Sequence, residues 1–536
     1  MLGTSDPDAA VPAAKRLPAY VLVPLALVGG LAVPLTLAPF DWWWLGPLAV
    51  ALNLYVLQHA RNVRSGFLLG WMFGLGKFGL GVSWIYVSIH TYGHASVALA
   101  SVLVALFVSA MALFHGVLGA LFVWRFQARG MRAALGFAGL WLLFDWLLTW
   151  IFTGFPWLLL GYGHLTTPLS GYAQLLGVHG VTAIVVLSGV LLLQLVLPAS
   201  RTDFGSRSTS VVPTPRPSAS ASAGASSRRW WIPAALTSLW LGGLVIAPVS
   251  FVHVEAVREV ALVQGNVAQD TKWDPESVTR NLDTYVGLSG PHMDVDVLLW
   301  PEAAVTLLLE QAGPFLDAMG QRMAQHGGAL VTGIVSWRPE QGIRNLSVVT
   351  GRGQGTYVKR RLVPFGEYVP LEGLLRGLIG FFDLPMSHTE PGAERQPLLR
   401  VGDARIAMAI CYEVVYPGLV REQAKGANLL ATISNDTWFG ASIGPLQHLQ
   451  MAQMRTLELG RWMLRATNNG VTALIDPHGR VVARLPQFQA GVLRGKVQLI
   501  TGETPYAVLG DWPVRLLFAL LLVLGWRREV SGASSG

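Results

Sequence analysis

The sequence is poor in charge and contains a single cysteine. Only 13% of its 536 residues are charged and 52% are hydrophobic, a balance that ordinary soluble domains do not reach. We therefore expect a membrane protein, with enough chain left over for a globular domain of roughly 150 to 250 residues. One cysteine cannot form an intramolecular disulfide, so cysteine content does not identify the compartment. It draws attention to Cys411 instead.

Basic residues outnumber acidic ones, 39 to 31, which raises the question of a nucleic-acid partner. The basic residues flank the apolar segments, however, as topology signals do. They are Lys15, Arg16, Arg61, Arg64, Arg125, Arg129, Arg132, the arginines of 201–229, Arg527 and Arg528. We therefore expect no nucleic-acid partner.

Eight apolar runs are long enough to cross a bilayer, which takes about 20 residues. They lie near 18–38, 42–60, 66–89, 95–124, 133–153, 176–198, 230–250 and 510–526. The first run resembles a signal peptide, but further runs follow at once, so we expect it to be retained as a helix. The sequence predicts a polytopic α-helical membrane bundle of eight transmembrane helices. Helices one to seven lie in 1–250, and the last helix and a tail lie in 506–536.

The loops between these runs alternate in charge. Those after runs two, four and six carry arginine, whereas those after runs one, three and five contain Asp41, His90 and His94 but no lysine or arginine. The positive-inside rule then places both termini in the cytoplasm, and 251–505 on the opposite side. The Ser-, Pro- and Ala-rich stretch 201–229 cannot form a core and is expected to be a cytoplasmic linker.

The region 251–505 differs in character from the rest of the chain. Short runs rich in Val, Ile and Leu end in polar residues, which is typical of buried strands; they include DVLLWPE, ALVTGIVSW, RIAMAICYE and NLLATISND. Helical stretches are predicted between them at 274–289, 311–326 and 445–460. This region is therefore predicted to be an α/β domain with a largely buried sheet.

Three reactive side chains each stand at the end of an apolar run in this domain. Glu302 follows DVLLW, Lys359 follows GTYV, and Cys411 follows RIAMAI. Strand ends are where α/β folds place reactive groups. Taken singly, each has an ordinary explanation, as a solvated carboxylate, a surface lysine or a small core residue.

The order of the motifs indicates that these three residues act together. WPE, then KRRLVPFGEY, then CYE, then NDTWFG resembles the nitrilase superfamily, an αββα sandwich whose catalytic trio is a Glu base, a Lys and a Cys nucleophile. The chain is also similar to the apolipoprotein N-acyltransferase family, which places such a domain between the last two of eight membrane helices. That likeness extends to KFGLGVSWIYVSIHTYG near 77–93 and TGFPWLLLGYG near 153–163.

The resemblance implies acyl transfer through a thioester on Cys411 in a bacterial cell membrane. The donor would be a phospholipid, typically phosphatidylethanolamine, and the acceptor the α-amine of a lipoprotein's diacylglyceryl-modified N-terminal cysteine. A thiol with a pKa of about 8.5 needs a base, for which we expect Glu302 with a pKa raised by burial. The Lys359 ammonium and the backbone N–H after Cys411 would stabilise the oxyanion.

The same match predicts supporting residues around the trio. Two carboxylates are expected to position the lysine and the thiol, and a tyrosine is expected to support the site or to bind substrate. Three further aromatic side chains are expected near the substrate, although aromatic residues more often form core. They are Glu367, Glu413 and Tyr412, and Trp273, Trp438 and Phe439.

Two features outside these motifs are also informative. The segment 371–386 is too apolar for an ordinary loop and too interrupted to span a bilayer, so we expect it either to enter the membrane interface and admit lipids or to pack on the domain. Lys77 and Asp145 lie at similar depths in the third and fifth predicted spans. A buried ion pair between them would leave neither charge alone in hydrocarbon.

Two other functions have to be weighed. A membrane-tethered amidase or nitrilase could use the same trio to hydrolyse a C–N bond, with water in place of the amine; the apolar segment and the aromatic-rich motifs favour lipid substrates. A non-catalytic binding protein would not need all three catalytic residue types. None of the histidines His253, His292, His326, His388 and His448 sits in a strand-end motif near Cys411. No Cys/His cluster appears, so we expect neither a metal nor a cofactor.

Overall fold

The computed structural model describes residues 17–127, 130–196, 230–340, 342–364, 366–368 and 389–526. The predicted linker 201–229 and the apolar segment 371–386 lie outside these residues, as do the basic residues at both chain ends.

Each of the eight apolar runs contains a helix. These helices are α1 (Ala19–Ala32), α2 (Leu45–Gln58), α3 (Val63–Gly81) with the short α4 (Trp84–Val87), α5 (Val97–Leu121), α6 (Met131–Leu147), α7 (Ala173–Val196), α8 (Trp231–Ile246) and, near the end of the chain, Trp512–Gly525. The helix α3 is capped by Asn62, whose side chain accepts from the Ser65 N–H, the arrangement that satisfies a free N-terminal amide.

Among the residues that the structure describes, three helical stretches have the length and hydropathy of a membrane-spanning helix: Ala19–Thr36, Val97–Phe126 and Pro168–Val196. A fourth span is formed if α3 and the stretch Trp84–Tyr92, bent by 55° at the break between them, cross together. Helices α2, α8 and Trp512–Gly525 are apolar but shorter. These helices indicate a membrane protein, while the count of eight spans stays a prediction.

Small residues allow the bundle helices to approach closely. A Cβ on Gly76 of α3 would lie only 2.3 Å from the Leu27 carbonyl oxygen of α1, so only glycine fits at this crossing. Lys77 follows on α3, and its Nζ lies 3.6 Å from Asp145 Oδ1 of α6, with both side chains buried. The predicted pairing of Lys77 with Asp145 is confirmed.

Beyond the helical bundle, the described part of the chain contains two seven-stranded mixed sheets. The first runs in the order β14 (Gly491–Gly502), β1 (Val252–Gln264), β2 (Val297–Leu299), β4 (Ala329–Arg338), β5 (Gly342–Gly351) and β7 (Thr356–Val358), with β3 (Val305–Leu308) paired to β4. The second runs β13 (Val481–Arg484), β12 (Ala473–Ile475), β11 (Met463–Thr467), β10 (Leu429–Ser434), β9 (Ala404–Ile410), β8 (Leu399–Val401) and β6 (Gly353–Gln354). The central strands β1, β2 and β4, and likewise β9, β10 and β11, run parallel.

The two sheets face each other in an αββα sandwich. Alternate residues of β9 show the layering: Ile406, Met408 and Ile410 pack between the sheets, whereas Ala407 and Ala409 face the outer helices. The outer face of the first sheet carries α9 (Val278–Ser289) and α10 (Gly313–Gln325), and that of the second carries α11 (Pro417–Gln423) and α12 (Gly444–Leu459). The nitrilase-like fold and the three predicted helical stretches are confirmed.

The helical layer of α11 and α12 also packs on the membrane bundle, and one hydrophobic cluster contains residues of both. Polar contacts join them as well. Trp157 Nε1 donates to Gln447 Oε1 at 2.6 Å, and the Val178 N–H donates to Glu458 Oε1 at 2.7 Å. The sandwich is therefore joined to the bundle by a shared core in addition to the two chain connections, the second of which runs through α13 (Pro505–Leu509) into α14 (Trp512–Gly525).

Candidate active site

The three predicted catalytic residues come together at the carboxyl ends of strands from both sheets. Glu302 follows β2, Lys359 follows β7, and Cys411 follows β9. Lys359 Nζ lies 3.2 Å from Glu302 Oε1, and the charges of both side chains act on the Cys411 thiol. All three are more than nine-tenths buried, so their mutual electrostatic interactions are little screened by water.

Cys411 occupies a strained corner between a strand and a turn. Its φ of 54° lies in the left-handed region, which non-glycine residues rarely adopt. The 3-10 turn Cys411–Val415 begins directly after β9. A sharp strand-to-turn corner is the geometry with which α/β enzymes expose a nucleophile.

The Cys411 thiol is protonated in the resting protein. Burial raises the pKa of this thiol and the Glu302 carboxylate raises it further, whereas the Lys359 ammonium acts in the opposite direction without cancelling them. A thiol in this state cannot attack an acyl carbon until a base removes its proton.

The Glu302 carboxylate is surrounded by donors. Oε1 accepts from Asn345 Nδ2 at 2.7 Å, and Oε2 accepts from the Asn435 N–H at 2.9 Å. Burial alone would raise the pKa of Glu302, but the charge of Lys359 and these hydrogen bonds together lower it. The predicted rise in the Glu302 pKa is therefore wrong. One strand and two strand ends bring donors to this carboxylate, whereas the sequence predicts only its burial. Glu302 is ionised and available as a base.

Glu302 also stands on a tight corner that a neighbouring glycine permits. Ala303 has a φ of 48°, so the backbone turns sharply after the carboxylate. A Cβ on Gly333 of β4 would lie 2.6 Å from the Pro301 carbonyl oxygen. Any larger residue at this position would push the Glu302 corner away from the sheet.

Lys359 bridges two carboxylates. Its Nζ donates to Glu367 Oε1 at 2.7 Å and to Glu302 Oε1 at 3.2 Å. Burial would lower the pKa of the Lys359 ammonium, but the charges of Glu302 and Glu367 raise it well above its usual value. The Val363 N–H fixes Glu367 by donating to its other oxygen at 2.8 Å. The geometry therefore suits Glu367 to the predicted role of positioning the lysine.

Glu413 is completely buried and joins the cysteine turn to the lysine segment. It accepts from the backbone N–H groups of Ile410 at 2.8 Å and Arg360 at 2.6 Å, and from the Tyr357 hydroxyl at 3.0 Å. Burial raises the pKa of Glu413, although the backbone donors oppose the rise. Glu413 thus fixes the distance between the two catalytic segments, as a positioning residue would.

Trp438 and Phe439 lie in the turn after β10 and contact the broken third span. The Trp438 ring is 5.9 Å from that of Tyr92, and its carbonyl accepts from Ser88 Oγ at 2.7 Å. The Phe439 ring packs edge-on against Trp84 at 4.7 Å. These contacts place the turn on the membrane side of the sandwich.

Trp273 and Tyr412 differ in exposure. Trp273 is 41% exposed, whereas Tyr412 is buried with its ring stacked 6.4 Å from that of Trp157. The Tyr412 hydroxyl points to the Gly154 carbonyl at 3.4 Å. Tyr412 therefore belongs to the contact with the bundle, and the substrate role predicted for the aromatic residues stays a prediction.

Further residues belong to the site although no motif assigned them a role. Asn345 lies in β5, and Asn435 directly follows β10, so the strand-end rule could have pointed to Asn435 but not to Asn345. Lys272 Nζ donates to the Glu302 carbonyl at 3.3 Å, and burial lowers the pKa of Lys272 to about 8. A second cation therefore lies beside the Glu302 corner.

One histidine lies against the cysteine turn, although it belongs to a helix and not to a strand-end motif. His448 Nε2 is 3.1 Å from the Cys411 carbonyl oxygen, because α12 packs directly on the cysteine turn. The contact is with the backbone and not with the thiol. Within the described residues, no group of three or more His, Cys, Asp or Glu side chains is placed to hold a metal ion, and the absence of a metal or cofactor stays a prediction.

Two known protein families match this chain, one over the bundle and the other over the sandwich. Residues 29–191 match the apolipoprotein N-acyltransferase N-terminal domain, and residues 259–504 match the carbon-nitrogen hydrolase family. A protein of Pseudomonas aeruginosa named apolipoprotein N-acyltransferase is 46% identical over 509 residues, covering 93% of this chain and 94% of its own. The chain belongs to the apolipoprotein N-acyltransferase family.

Members of this family from other bacteria are also similar to this chain over nearly its whole length. Proteins with the same name from Pseudomonas putida and Photobacterium profundum are 46% and 36% identical, each covering 94–95% of this chain and 95% of its own. Such likeness over the bundle as well as the sandwich identifies an acyltransferase of the membrane. The amidase alternative is not favoured.

Proposed function

We propose that this chain is an apolipoprotein N-acyltransferase that carries the acyl group as a thioester on Cys411. The observation that supports the proposal best is the buried cluster in which an ionised Glu302 and a protonated Lys359, 3.2 Å apart, both act on a protonated thiol. This arrangement supplies a base and an electrophilic group to the nucleophile.

In the first half-reaction, Glu302 accepts the thiol proton as Cys411 Sγ attacks the ester carbonyl of the donor. Negative charge develops on the carbonyl oxygen, where the Lys359 ammonium and the backbone N–H of Tyr412 stabilise it. The C–O bond then breaks, and the departing alkoxide takes the proton from Glu302. The products are a thioester on Cys411 and a lyso-lipid.

In the second half-reaction, the α-amine of the acceptor attacks the thioester. Glu302 takes the amine proton as the C–N bond forms, and the sulfur leaves as the C–S bond breaks. The thiolate then recovers a proton from Glu302. The net result is an amide on the acceptor and a regenerated Cys411, a ping-pong sequence.

The acceptor in this proposal is a lipoprotein with a diacylglyceryl-modified N-terminal cysteine, and the donor is a phospholipid, typically phosphatidylethanolamine. The contacts of the site with the membrane helices support a lipid donor. The turn that bears Trp438 is hydrogen-bonded to Ser88 of the third span, and Tyr416, five residues after the nucleophile, donates to the Gly154 carbonyl at 2.9 Å. These contacts hold the nucleophile close to the helices that an acyl chain in the bilayer would contact.

The site faces the periplasm or cell exterior in this proposal, with both termini in the cytoplasm. The support is the charge of the loops. Asp41, His90 and His94 lie in loops without lysine or arginine, and Asp41 accepts from Gln450 of α12 at 3.1 Å. Loops poor in basic residues thus lie on the same side of the bundle as the sandwich, which the positive-inside rule assigns to the extracytoplasmic face.

Intact-mass analysis of the purified protein tests the first half-reaction. Incubation with phosphatidylethanolamine should add one acyl chain, hydroxylamine should remove it, and Cys411→Ala should prevent it. A synthetic diacylglyceryl-cysteine peptide should then discharge the adduct as N-acylated peptide. Release of free fatty acid without N-acylated peptide would show that water, and not the amine, accepts the acyl group. A wild-type protein that remains unmodified while it acylates the peptide would rule out the thioester.

A further inference from the structure

A fully buried polar cluster lies behind the nucleophile, on the side of the cysteine turn that packs on α12. His448 is its centre, and its ring Nε2 lies 3.1 Å from the Cys411 carbonyl oxygen. A carbonyl oxygen can only accept a hydrogen bond, so Nε2 carries the hydrogen. The mechanism proposed above gives this histidine no role.

The other ring nitrogen faces one donor and one acceptor. Nδ1 lies 3.1 Å from Arg465 Nη2 and 3.1 Å from Asp436 Oδ1. Arg465 Nη2 also donates to Asp436 Oδ2 at 2.7 Å, so the arginine and the aspartate neutralise each other. Burial and the Arg465 charge lower the pKa of His448, although Asp436 opposes them. The ring is therefore neutral, with Nδ1 accepting from Arg465 and Nε2 donating to the carbonyl.

The peptide group that His448 holds is the one that matters for catalysis. The Cys411 carbonyl and the Tyr412 N–H belong to one planar trans peptide, so they point in opposite directions. A donor behind the carbonyl thereby sets the direction of the N–H that the proposed mechanism uses for the oxyanion. The φ of 54° at Cys411 means that this orientation is not one that the backbone adopts unaided.

We propose that His448, held in one tautomer by Arg465, is a positioning residue of the acyl-transfer site, and that it locks the peptide between Cys411 and Tyr412 in the orientation that the nucleophile and the oxyanion donor require. The inference rests on the proposed role of Cys411 as the nucleophile. It adds a donor of specified geometry that acts through the backbone and does not touch substrate.

A merely structural role has to be separated from this one, because the His448 ring also packs on aromatic residues. It stacks 6.0 Å from the Trp157 ring and lies 5.7 Å from that of Phe439. Two substitutions separate the hydrogen-bond donor of His448 from its aromatic packing. His448→Phe keeps the aromatic packing and removes the donor, whereas His448→Gln removes the ring and offers an Nε2–H at a similar reach.

The test is single-turnover formation of the Cys411 acyl adduct at increasing mole fractions of phosphatidylethanolamine, followed by intact mass. We expect His448→Phe to slow acylation about 100-fold, as loss of a preorganised oxyanion donor does. Its half-saturating lipid fraction should stay within about twofold of wild type, since a positioning residue acts on the bound complex. His448→Gln should keep the rate within about fivefold, because the donor is restored.

Either of two results overturns the inference: a His448→Phe protein that acylates as fast as wild type, or a His448→Gln protein as slow as His448→Phe. If His448→Phe does not accumulate in the membrane, His448→Leu takes its place with the same expectation. The wild-type reaction is the reference. A wild type that forms no adduct counts against the thioester mechanism itself, whereas an adduct that forms equally well in all variants counts only against the role of His448.

Discussion

The proton on the Cys411 thiol distinguishes this nucleophile from a thiolate paired with a charged histidine. Burial and Glu302 raise its pKa, so the thiolate fraction at neutral pH is smaller than that of a free cysteine, whose pKa is about 8.5. Alkylation by iodoacetamide should therefore be slow at pH 7 and should still be rising above pH 9. A plateau below pH 8 would show that the thiol is already ionised.

Replacing Glu302 separates reactivity from catalysis. In Glu302→Gln the negative charge that raises the thiol pKa is removed while Lys359 remains, so alkylation at pH 7 should become faster. Acyl transfer should fall by a factor of about 100 or more, since the general base is lost. The two rates should thus move in opposite directions. A parallel fall in both would indicate a damaged site instead.

The trio could be predicted from the sequence because each member is fixed by its own strand end. Their environment could not. The lowered pKa of Glu302 depends on Asn345, which comes from an antiparallel strand, and the contact of His448 with Cys411 spans 37 positions. Short-range patterns contain no information on which distant donor meets a given oxygen.

At the scale of elements, helices α3 and α6 are joined by a buried ion pair. Lys77 and Asp145 are 1% and 2% exposed, and Trp141 Nε1 also donates to Asp145 at 2.9 Å. Breaking a buried pair by changing one partner costs roughly 3–5 kcal/mol. Lys77→Asp and Asp145→Lys should each reduce accumulation in the membrane, and the double exchange should restore it. A double variant no better than the singles would contradict the pairing.

Helix α12 contains a second buried ion pair, and the carboxylate of that pair also contacts the bundle. Glu458 contacts Arg455 Nε at 2.9 Å and accepts from the Val178 N–H at 2.7 Å. Glu458→Leu would leave the guanidinium buried without a counter-ion, so it should lower the free energy of unfolding by roughly 3–5 kcal/mol. Thermal unfolding in detergent measures this loss.

A matched exposed pair provides the control. Glu255 lies 3.4 Å from Arg405, and both side chains are about one-third exposed. Glu255→Gln should change the free energy of unfolding by less than about 1 kcal/mol, because exposed pairs contribute little. Equal losses of unfolding free energy in the two variants would mean that the Glu458–Arg455 pair contributes no more to stability than an exposed pair.

Elements were predictable where hydrophobic periodicity was strong. The runs that became β2, β4, β9 and β10 are continuous and apolar, as central parallel strands are. The strands β5 and β8 were missed because they are half-buried and pair antiparallel, so their apolar content is diluted. The break between α3 and α4 was also missed, since the sequence remains apolar across it.

At the scale of the whole molecule, the sandwich and the bundle share one hydrophobic core. Residues of α12 such as Leu449 and Met451 belong to the same cluster as Trp157 and Val178 of the bundle. The sequence could predict the two parts but not this junction, because each α12 residue looks like the core of an ordinary domain. The apolar face meets the bundle in place of solvent.

A fragment of residues 251–505 should therefore not behave as an independent enzyme. Without the bundle, the outer layer of α11 and α12 exposes a large apolar surface, which leads to aggregation. Size-exclusion chromatography should show aggregates, and intact mass should show no acyl adduct on Cys411. The full-length protein prepared in parallel is the control. A monomeric fragment that becomes acylated would show that the shared core is dispensable.

The shared core also has a kinetic consequence. A nucleophile held on the bundle cannot leave the membrane surface. The phospholipid donor and lipidated acceptor proposed above would therefore have to reach it by lateral diffusion within the bilayer. The concentration that governs turnover is then two-dimensional, measured per lipid and not per litre. Diluting the donor with inert detergent inside mixed micelles should slow the reaction even when the bulk amounts of enzyme and donor are unchanged, which is the surface-dilution behaviour of an interfacial enzyme.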